Sequence, residues 1–444
     1  MAISDWAHIF TVPDESLLTD SSVDPMGMQM IWTDFGQKIF NYKLTTVATD
    51  IRNFTINLFH HYLLYRLEHG EPQVFAKAIA HFPDYRNAYD VKAGLLMFLE
   101  DLLIYALMEQ GDSVETRGLL GSYKAQQMLK QDPETIWIEA EKTKGVLVRQ
   151  IQLGINGRYK GPFINMKLLT THFKYEPEWE RIGLLMSGGR WPAGKRLAEE
   201  LLEKLRDLLE HSAGKYPRRT LAELKDPGLW KLYRDCFGER KGNPVFSDFW
   251  VEQLGLMEGA AKAVYCHVPG LEKDNLPLWE VIERASREDL PDEERRKLEH
   301  ILDLEPFLSI CSQIFYRLCN PATKHVHEIQ EEVDLLVQRM EPDKISSLLA
   351  GKGNPRLALL WAFVSKGIGN PEEVIRQIVG YHEQVMKERG SFPWVELKDG
   401  AVKQYYHQSE RFSTEELLSE NRWYHDYYLN SLASIYRGLN PENA

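Results

Sequence analysis

The sequence has 444 residues, of which 43% are hydrophobic and 27% charged, and its formal net charge is −12. This apolar content supports a sizeable core and excludes a globally disordered chain, and at roughly 150 residues per domain the length predicts two or three domains. A uniformly acidic surface would repel nucleic acids and acidic membranes, so the distribution of the charge decides which partners remain.

The cysteines and the apolar runs indicate in which cellular compartment the protein is expected. The four cysteines, at positions 236, 266, 311 and 319, match no zinc-ligand spacing and are too few for a disulfide scaffold. We therefore expect buried, reduced thiols in a cytoplasmic protein. The most apolar stretch, 93–108, is interrupted by two acids and is shorter than the ~20 residues that a membrane span needs, so we expect no membrane contact.

Residues 1–30 are polar and rich in turn formers, which is typical of an N-terminal arm. Apolar residues at steps of three and four then predict two deeply buried helices, over 45–68 and 90–110. Thr45 or Thr46 is a suitable N-cap for the first of them, and Asp50 lies near its positive end.

A charged amphipathic helix is predicted over 193–211, and glycines and prolines then cluster at 212–229. That cluster predicts a domain boundary, with an N-terminal helical domain over 31–211 and a C-terminal helical domain over 230–444. Short strands are predicted near 134–165 and 392–398.

Gly-Asn-Pro occurs three times, at 242–244, 353–355 and 369–371. Because Asn is a good N-cap and Pro fits the first helical position, each triplet predicts a helix start. The helices predicted in this half of the chain cover 245–266, 278–304, 305–319, 343–350, 356–366, 372–388 and 423–438. The fold class is therefore mainly α, with two helical lobes and a few short strands.

The segment 142–196, here called the basic segment, has a charge opposite to that of the rest of the chain. It contains six lysines, five arginines and three glutamates, so its net charge is +8 and that of the remaining chain is −20. Such an asymmetry is typical of a surface for an acidic partner, including nucleic acid.

The centre of the basic segment, 154–163, has the composition of a nucleic-acid contact loop. Glycines would let the backbone approach a phosphate, cations would neutralise it, and Tyr159 or Phe163 could stack on a base. The expected contacts are Arg149, Asn156, Arg158, Tyr159, Lys160, Arg190, Lys195 and Arg196. The alternative is an internal or protein-facing surface, in which these cations pair with acids such as those over 280–305.

The run Gly189–Arg196 matches the beginning of a phosphate-binding P-loop, G-x-x-x-x-G-K. It fails at Arg196, where the motif needs the Ser or Thr that binds magnesium, and Pro192 removes an amide from the loop. An NTPase is therefore not expected, although Lys195 at a helix N-terminus suits a plain anion site.

Two other groups of polar residues are candidate sites. His60 and His61 lie on the first buried helix and Glu100 and Asp101 on the second, where they could meet as an acid-base or metal site or simply satisfy each other. Glu396 and Lys398 have the local pattern of a metal-dependent nuclease, but Glu223-Leu-Lys225 repeats it elsewhere.

Because no catalytic motif is complete, we expect a non-enzymatic helical subunit of a bacterial multiprotein assembly, with anti-phage defence as a natural setting. It would contact nucleic acid or a protein partner through the basic segment, with no cofactor and no bound metal. The alternatives are a metal-dependent nuclease using Glu396 and Lys398, and a purely protein-binding scaffold using the aromatic region 423–428.

Overall fold

The computed structural model describes residues 24–141, 144–147, 149–350 and 354–443. The prediction of a mainly α protein with a few short strands is confirmed. Up to residue 211 the elements are α1 (Met28–Ile39), α2 (Ile51–Gly70), α3 (Pro72–His81), α4 (Ala88–Met108), α5 (Ser122–Gln131), β1 (Trp137–Glu139), α6 (Gln150–Leu153), α7 (Ile155–Asn165), α8 (Trp179–Ser187) and α9 (Pro192–His211).

The elements after residue 211 are β2 (Arg218–Thr220), α10 (Leu221–Leu224), α11 (Pro227–Phe237), α12 (Ser247–Gln253), α13 (Gly259–His267), α14 (Gly270–Lys273), α15 (Leu278–Ser286), α16 (Asp292–Cys319), α17 (Gln330–Val337), α18 (Pro342–Ala350), α19 (Pro355–Val364), α20 (Pro371–Glu388), β3 (Val395–Lys398), β4 (Ala401–Gln404), α21 (Thr414–Ser419) and α22 (Leu429–Leu439). The strands form two antiparallel pairs, with Trp137 opposite Thr220 and Val395 opposite Gln404.

The chain divides into two compact units, each built from two stretches of sequence. Unit 1 comprises residues up to 39 together with 270–427, and unit 2 comprises 40–269 together with 428–444. The segment 212–229, which the sequence predicts as a domain boundary, contains β2 and lies within unit 2. As a boundary between independent domains it stays a prediction.

Unit 2 is organised around α2 and α4, which pack against each other. All residues of α2 from Ile51 to Leu64 and nearly all of α4 are buried, including polar ones, and a helix buried on all sides is surrounded by other elements. The prediction of two deeply buried helices is confirmed. The N-cap of α2 is Asp50 instead of a threonine, since its side chain accepts the main-chain N–H of Arg52.

Unit 1 is organised around α16, a 28-residue helix whose second half is buried. It contacts α1, α15, α18 and α20. The acid-rich stretch 280–305 has the composition of a solvated helical face, but Glu305 at its end is fully buried. The helices predicted over 278–304 and 305–319 are divided differently, with a break at Pro291, where the acids Asp292 to Glu294 form the first turn of α16.

Two of the three Gly-Asn-Pro triplets lie at the starts of α-helices, as the sequence predicts. Asn354 and Asn370 are the N-caps of α19 and α20, and in each case the asparagine side chain accepts a main-chain N–H of the first turn. Asn243 caps only a short 3₁₀ turn, Pro244–Phe246. The helix predicted over 245–266 is interrupted, because Gly255 and Gly259 adopt positive φ.

The cysteines are all unpaired thiols, with Cys311 and Cys319 buried. Cys266 is exposed and Cys236 half-buried, so the expectation of four buried thiols is wrong for these two. Among the described residues, no helix is both long and apolar enough to cross a membrane.

Candidate functional site

The centre of the basic segment is a helix, and the prediction of a glycine-rich loop over 154–163 is wrong. Residues 155–165 form α7, whose buried residues are spaced along one stripe: Ile155, Asn156, Tyr159, Pro162 and Phe163. That stripe packs on α2, where the ring of Phe54 lies 4.6 Å from the ring of Tyr159. The buried face of α7 is therefore part of the core of unit 2.

The glycines at the start of α7 are required by packing. A Cβ on Gly157 would lie 2.3 Å from the main chain of Gln152, and a Cβ on Gly154 would lie 2.2 Å from Oε2 of Glu100. Nothing lies within 4 Å of a Cβ on Gly161. Close packing inside the protein explains the first two glycines, where the sequence suggested close approach to a phosphate.

Two of the expected nucleic-acid contacts, Asn156 and Tyr159, are core residues. Tyr159 is 1% exposed, and its hydroxyl lies 3.2 Å from both the main-chain N and O of Asp50. Asn156 is 3% exposed, and Phe163 is fully buried. The expectation that Tyr159 or Phe163 stacks on a base is wrong, since neither ring reaches the surface.

Asn156 connects the histidines of α2 with the acids of α4. Nε2 of His61 lies 3.0 Å from Oδ1 of Asn156, and the main-chain N–H of Asn156 donates a 2.6 Å hydrogen bond to Oε1 of Glu100. Because an amide oxygen only accepts, Nε2 of His61 carries the proton. The histidine and the carboxyl group thus satisfy each other through Asn156, which the sequence suggested as the structural alternative to a site.

Burial sets the protonation of this polar cluster. Desolvation lowers the pKa of His60 and of His61 to about 3, and it raises the pKa of Glu100 to about 8 and that of Asp101 to about 7. Neutral imidazoles and protonated carboxyl groups suit an interior. Across the described ranges, no group of three or more His, Cys, Asp and Glu residues could hold a metal ion.

The remaining expected contacts are at the surface. Arg149, Arg190, Lys195 and Arg196 are exposed, and Arg158 and Lys160 are partly exposed on the two flanks of the buried stripe of α7. Lys160 lies over the ring of Phe173 at 4.5 Å, and Nε of Arg158 donates to the main-chain O of Leu153. The structure therefore leaves these six cations accessible and removes Asn156 and Tyr159 from the set.

Ion pairing distinguishes these cations from others of the basic segment. Arg181 is paired with Glu252 at 2.5 Å, and Lys144 lies 3.7 Å from Glu139. Within the described part of unit 2, no carboxylate lies within 4.0 Å of the following eight residues, which we call the open cations: Arg149, Arg158, Lys160, Lys167, Lys174, Arg190, Lys195 and Arg196. Each open cation thus lacks a close carboxylate partner in the described part of its own unit.

The P-loop-like run has a structural explanation. Helix α9 begins at Pro192, and a Cβ on Gly194 would lie 2.1 Å from the ring of Trp191, which is buried against Phe59 and Phe237. Gly194 therefore makes room for the Trp191 ring. Lys195 and Arg196, the fourth and fifth residues of the helix, are exposed cations.

The residues behind the two alternative functions are placed as follows. Glu396 lies on β3 and accepts a 2.8 Å hydrogen bond from the hydroxyl of Tyr405, while Lys398 is exposed. In the aromatic region 423–428, Trp423, Tyr427 and Tyr428 are buried, so these three rings offer no exposed docking surface. The predicted helix begins only at Leu429. The nuclease and the scaffold stay predictions.

Glu305 is a residue that sequence reasoning missed as a buried group. It has no exposure, and its carboxylate accepts hydrogen bonds from the indole of Trp32 and the hydroxyl of Tyr427, each with a donor–acceptor distance of 2.7 Å. No local signal marks it, because it follows a run of solvated acids along the same helix.

Comparison with protein-family models, with curated proteins and with solved structures finds no match for this chain.

Proposed function

We propose that this protein is a nucleic-acid-binding helical subunit that contacts phosphates through the open cations of the basic segment. The observation that carries the proposal is that these eight side chains reach solvent without a carboxylate partner in the described part of unit 2, in a protein whose net charge is −12. Phosphate contacts by lysine and arginine supply most of the affinity of non-specific nucleic-acid binding.

The burial of Asn156 and Tyr159 narrows the proposed mode of binding. With these two in the core, the surface of α7 contributes charge and no base-reading group from the set that the sequence predicted. The proposed contact is therefore electrostatic, and it should weaken steeply with salt, because each neutralised phosphate releases condensed counterions.

The test is fluorescence anisotropy with labelled single- and double-stranded oligonucleotides at several salt concentrations. We expect log K to fall linearly with log salt, with a slope of about −0.9 per neutralised phosphate on duplex DNA. The double variant Arg158→Gln/Lys160→Gln should weaken binding to all sequences alike and make the slope shallower by roughly 1 for each phosphate that is no longer neutralised. A second double variant, Lys195→Gln/Arg196→Gln, tests the start of α9 in the same way.

A matched control is available in unit 1. Arg284 and Arg287 are surface arginines paired with Glu280 and Glu283 at 2.5 and 2.8 Å. Arg284→Gln/Arg287→Gln changes the net charge by the same amount and should leave the salt slope unchanged. If the wild-type chain binds no nucleic acid at low salt, or if both double variants in the basic segment bind as the wild type does, the proposal is wrong.

The wider setting, a non-enzymatic subunit of a multiprotein assembly acting in anti-phage defence, is part of the proposal and rests on the sequence alone. The acidic remainder of the chain suits it, because regions of opposite charge let one subunit contact nucleic acid and a basic protein partner. Purification of the tagged chain from its host with and without nuclease treatment would separate partners held by protein contacts from those held through nucleic acid.

A further inference from the structure

Five of the six aromatic rings of the basic segment are buried. Tyr159, Phe163, Phe173, Trp179 and Trp191 are each at most 4% exposed. The sixth ring, Tyr175, is only partly exposed, and its hydroxyl lies 3.4 Å from Nδ1 of His61. If the basic segment binds nucleic acid, a ring that stacks on a base has to come from elsewhere in unit 2.

Tyr42 brings an exposed ring to the C-terminal end of α7. It is 48% exposed, and its main-chain O accepts a 2.6 Å hydrogen bond from Nδ2 of Asn165, the last residue of α7. This bond ties the turn that carries Tyr42 to the helix that carries two of the open cations.

The turn holds Tyr42 in an unfavourable backbone conformation. The main-chain N–H of Lys43 donates to the O of Phe40, and the two central residues have positive φ, 49° at Asn41 and 60° at Tyr42. Left-handed backbone is unfavourable for a non-glycine residue and persists only where the surrounding structure fixes it, and such residues cluster at ligand sites. Lys167, two residues beyond α7, also has positive φ, 59°.

Two lysines accompany the ring. Lys43 follows Tyr42 in the turn, and Lys167 follows Asn165 by two residues. Burial lowers the pKa of the Lys43 ammonium, Glu258 opposes that shift, and the positive charge of Lys167 adds to it. A ring with one lysine next to it in the turn and a second lysine two residues beyond its hydrogen-bond partner Asn165 matches the chemistry of a nucleotide, a base beside its phosphates.

We infer that Tyr42 is a stacking platform for one base of a single-stranded nucleic acid, with the adjacent phosphates at Lys43 and Lys167. The inference rests on the proposed function and adds the form of the nucleic acid, because a paired base inside a duplex cannot place its face on an exposed tyrosine. The other open cations then contact further phosphates of the same strand.

The experiment compares a labelled oligothymidine with the same strand carrying abasic sites, and with a duplex, for wild type, Tyr42→Asn and Tyr42→Phe. Asparagine tolerates left-handed backbone and lacks a ring, so Tyr42→Asn should fold normally. We expect it to bind oligothymidine roughly 5- to 100-fold more weakly, as stacking is worth about 1–3 kcal/mol per base. Tyr42→Phe should bind as the wild type does, and duplex affinity should not change.

The abasic strand isolates the stacking interaction. Wild type should bind the abasic strand more weakly than oligothymidine. Tyr42→Asn should bind the abasic strand no more weakly than wild type does, since ring and base act as one pair. Tyr405→Asn is the matched control, an exposed tyrosine of unit 1 with a lysine ammonium 4.7 Å from its ring, and it should bind as the wild type does.

The outcomes separate the two proposals. Equal binding of oligothymidine by Tyr42→Asn and wild type, or wild-type binding that is indifferent to the missing bases, overturns the stacking inference and leaves the proposed function standing. Wild-type binding of duplexes alone does the same. Failure of the wild type to bind any nucleic acid overturns the proposed function itself and the stacking inference with it.

Discussion

The hydroxyl of Tyr427 donates a 2.7 Å hydrogen bond to Oε2 of Glu305, a carboxylate without solvent exposure in unit 1. The other donors to that carboxylate are the Trp32 indole, the Ser309 hydroxyl and the main-chain N–H groups of Tyr424 and His425. Burial raises the pKa of Glu305 to about 7, and the donors act in the opposite direction by stabilising the ionised form. One acidic side chain thus holds Tyr424, His425 and Tyr427 in place.

Removing the Tyr427 hydroxyl should destabilise the protein. A hydrogen bond to a charged group contributes about 1.5–3 kcal/mol, and Tyr427→Phe loses one such bond without changing the ring packing. Urea unfolding followed by circular dichroism measures the difference. The control is Tyr405→Phe, which removes a hydroxyl bond to the partly exposed Glu396 and should cost less than about 0.5 kcal/mol. Equal losses in the two variants would contradict the special role of Glu305.

Replacing Glu305 with glutamine should cost more than removing one of its donors. Oε2 accepts two hydrogen bonds and Oε1 three, so either orientation of the amide turns its NH₂ group against at least two donors. Breaking a buried charged network in this way costs about 3–5 kcal/mol. A Glu305→Gln chain with wild-type stability in urea would mean that the carboxyl group is protonated and already acts as a donor.

Glu100 should make stability depend on pH. Its pKa is raised to about 8 in the folded protein, so the folded chain holds a proton that the unfolded chain releases near pH 4.5. Stability from this group is therefore fully present below about pH 4.5 and falls as the pH rises to about 8. Asp101, with a pKa raised to about 7, contributes a decline of the same sign.

Glu100→Gln should flatten that decline, measured as the urea midpoint at intervals between pH 5 and pH 9, and a residual slope from Asp101 should remain. Glu388→Gln is the control, because hydrogen bonds from Gln384 and Arg356 lower the pKa of this exposed carboxylate. A group with a lowered pKa is ionised in both states across this range and adds no slope. Identical pH profiles for Glu100→Gln and wild type would show that Glu100 is ionised in the core.

Two glycines of α7 should respond oppositely to alanine. Gly157→Ala places a Cβ 2.3 Å from the Gln152 main chain and should destabilise the protein by about 1–3 kcal/mol, whereas Gly161→Ala meets nothing within 4 Å. In a helix, alanine is favoured over glycine by about 0.5–1 kcal/mol, so Gly161→Ala should raise the melting temperature. If α7 were a phosphate-binding loop, both substitutions would instead reduce nucleic-acid affinity.

The sequence predicted the helices of the core because their apolar spacing is local information. It misplaced the start of α2 because Thr45, Thr46 and Asp50 are all adequate caps. Thr45 does cap a local turn by accepting the main-chain N–H of Ala48, while Asp50 is fixed at the helix start by Arg240, whose Nε lies 3.1 Å from Oδ2. A contact between residues 190 positions apart decided between equivalent local signals.

The prediction of a loop over 154–163, where the structure has α7, was wrong for a related reason. Buried positions 155, 156, 159, 162 and 163 follow helical spacing, but the glycines and Pro162 favoured a loop. The need for Gly154 depends on Glu100, whose Oε2 would lie 2.2 Å from a Cβ there, and no feature near residue 154 reveals that neighbour. The cations, in contrast, are surface residues that need no particular neighbour, and all six cations among the eight predicted contacts remain accessible.

The order in which the chain visits its two units affects how the protein can be made. Unit 2 begins at Phe40 and is completed by α22, where the O of Gly438 accepts the N–H of Gly242 and Gly438 fits against Ile51. During synthesis, which proceeds at about 5–20 residues per second, everything in unit 1 after residue 269 leaves the ribosome before this last helix. Unit 2 therefore lacks α22, and the surface of α2 that α22 covers stays exposed, for roughly 10–30 seconds. During that time a chaperone or an incorrect partner could bind its apolar interior.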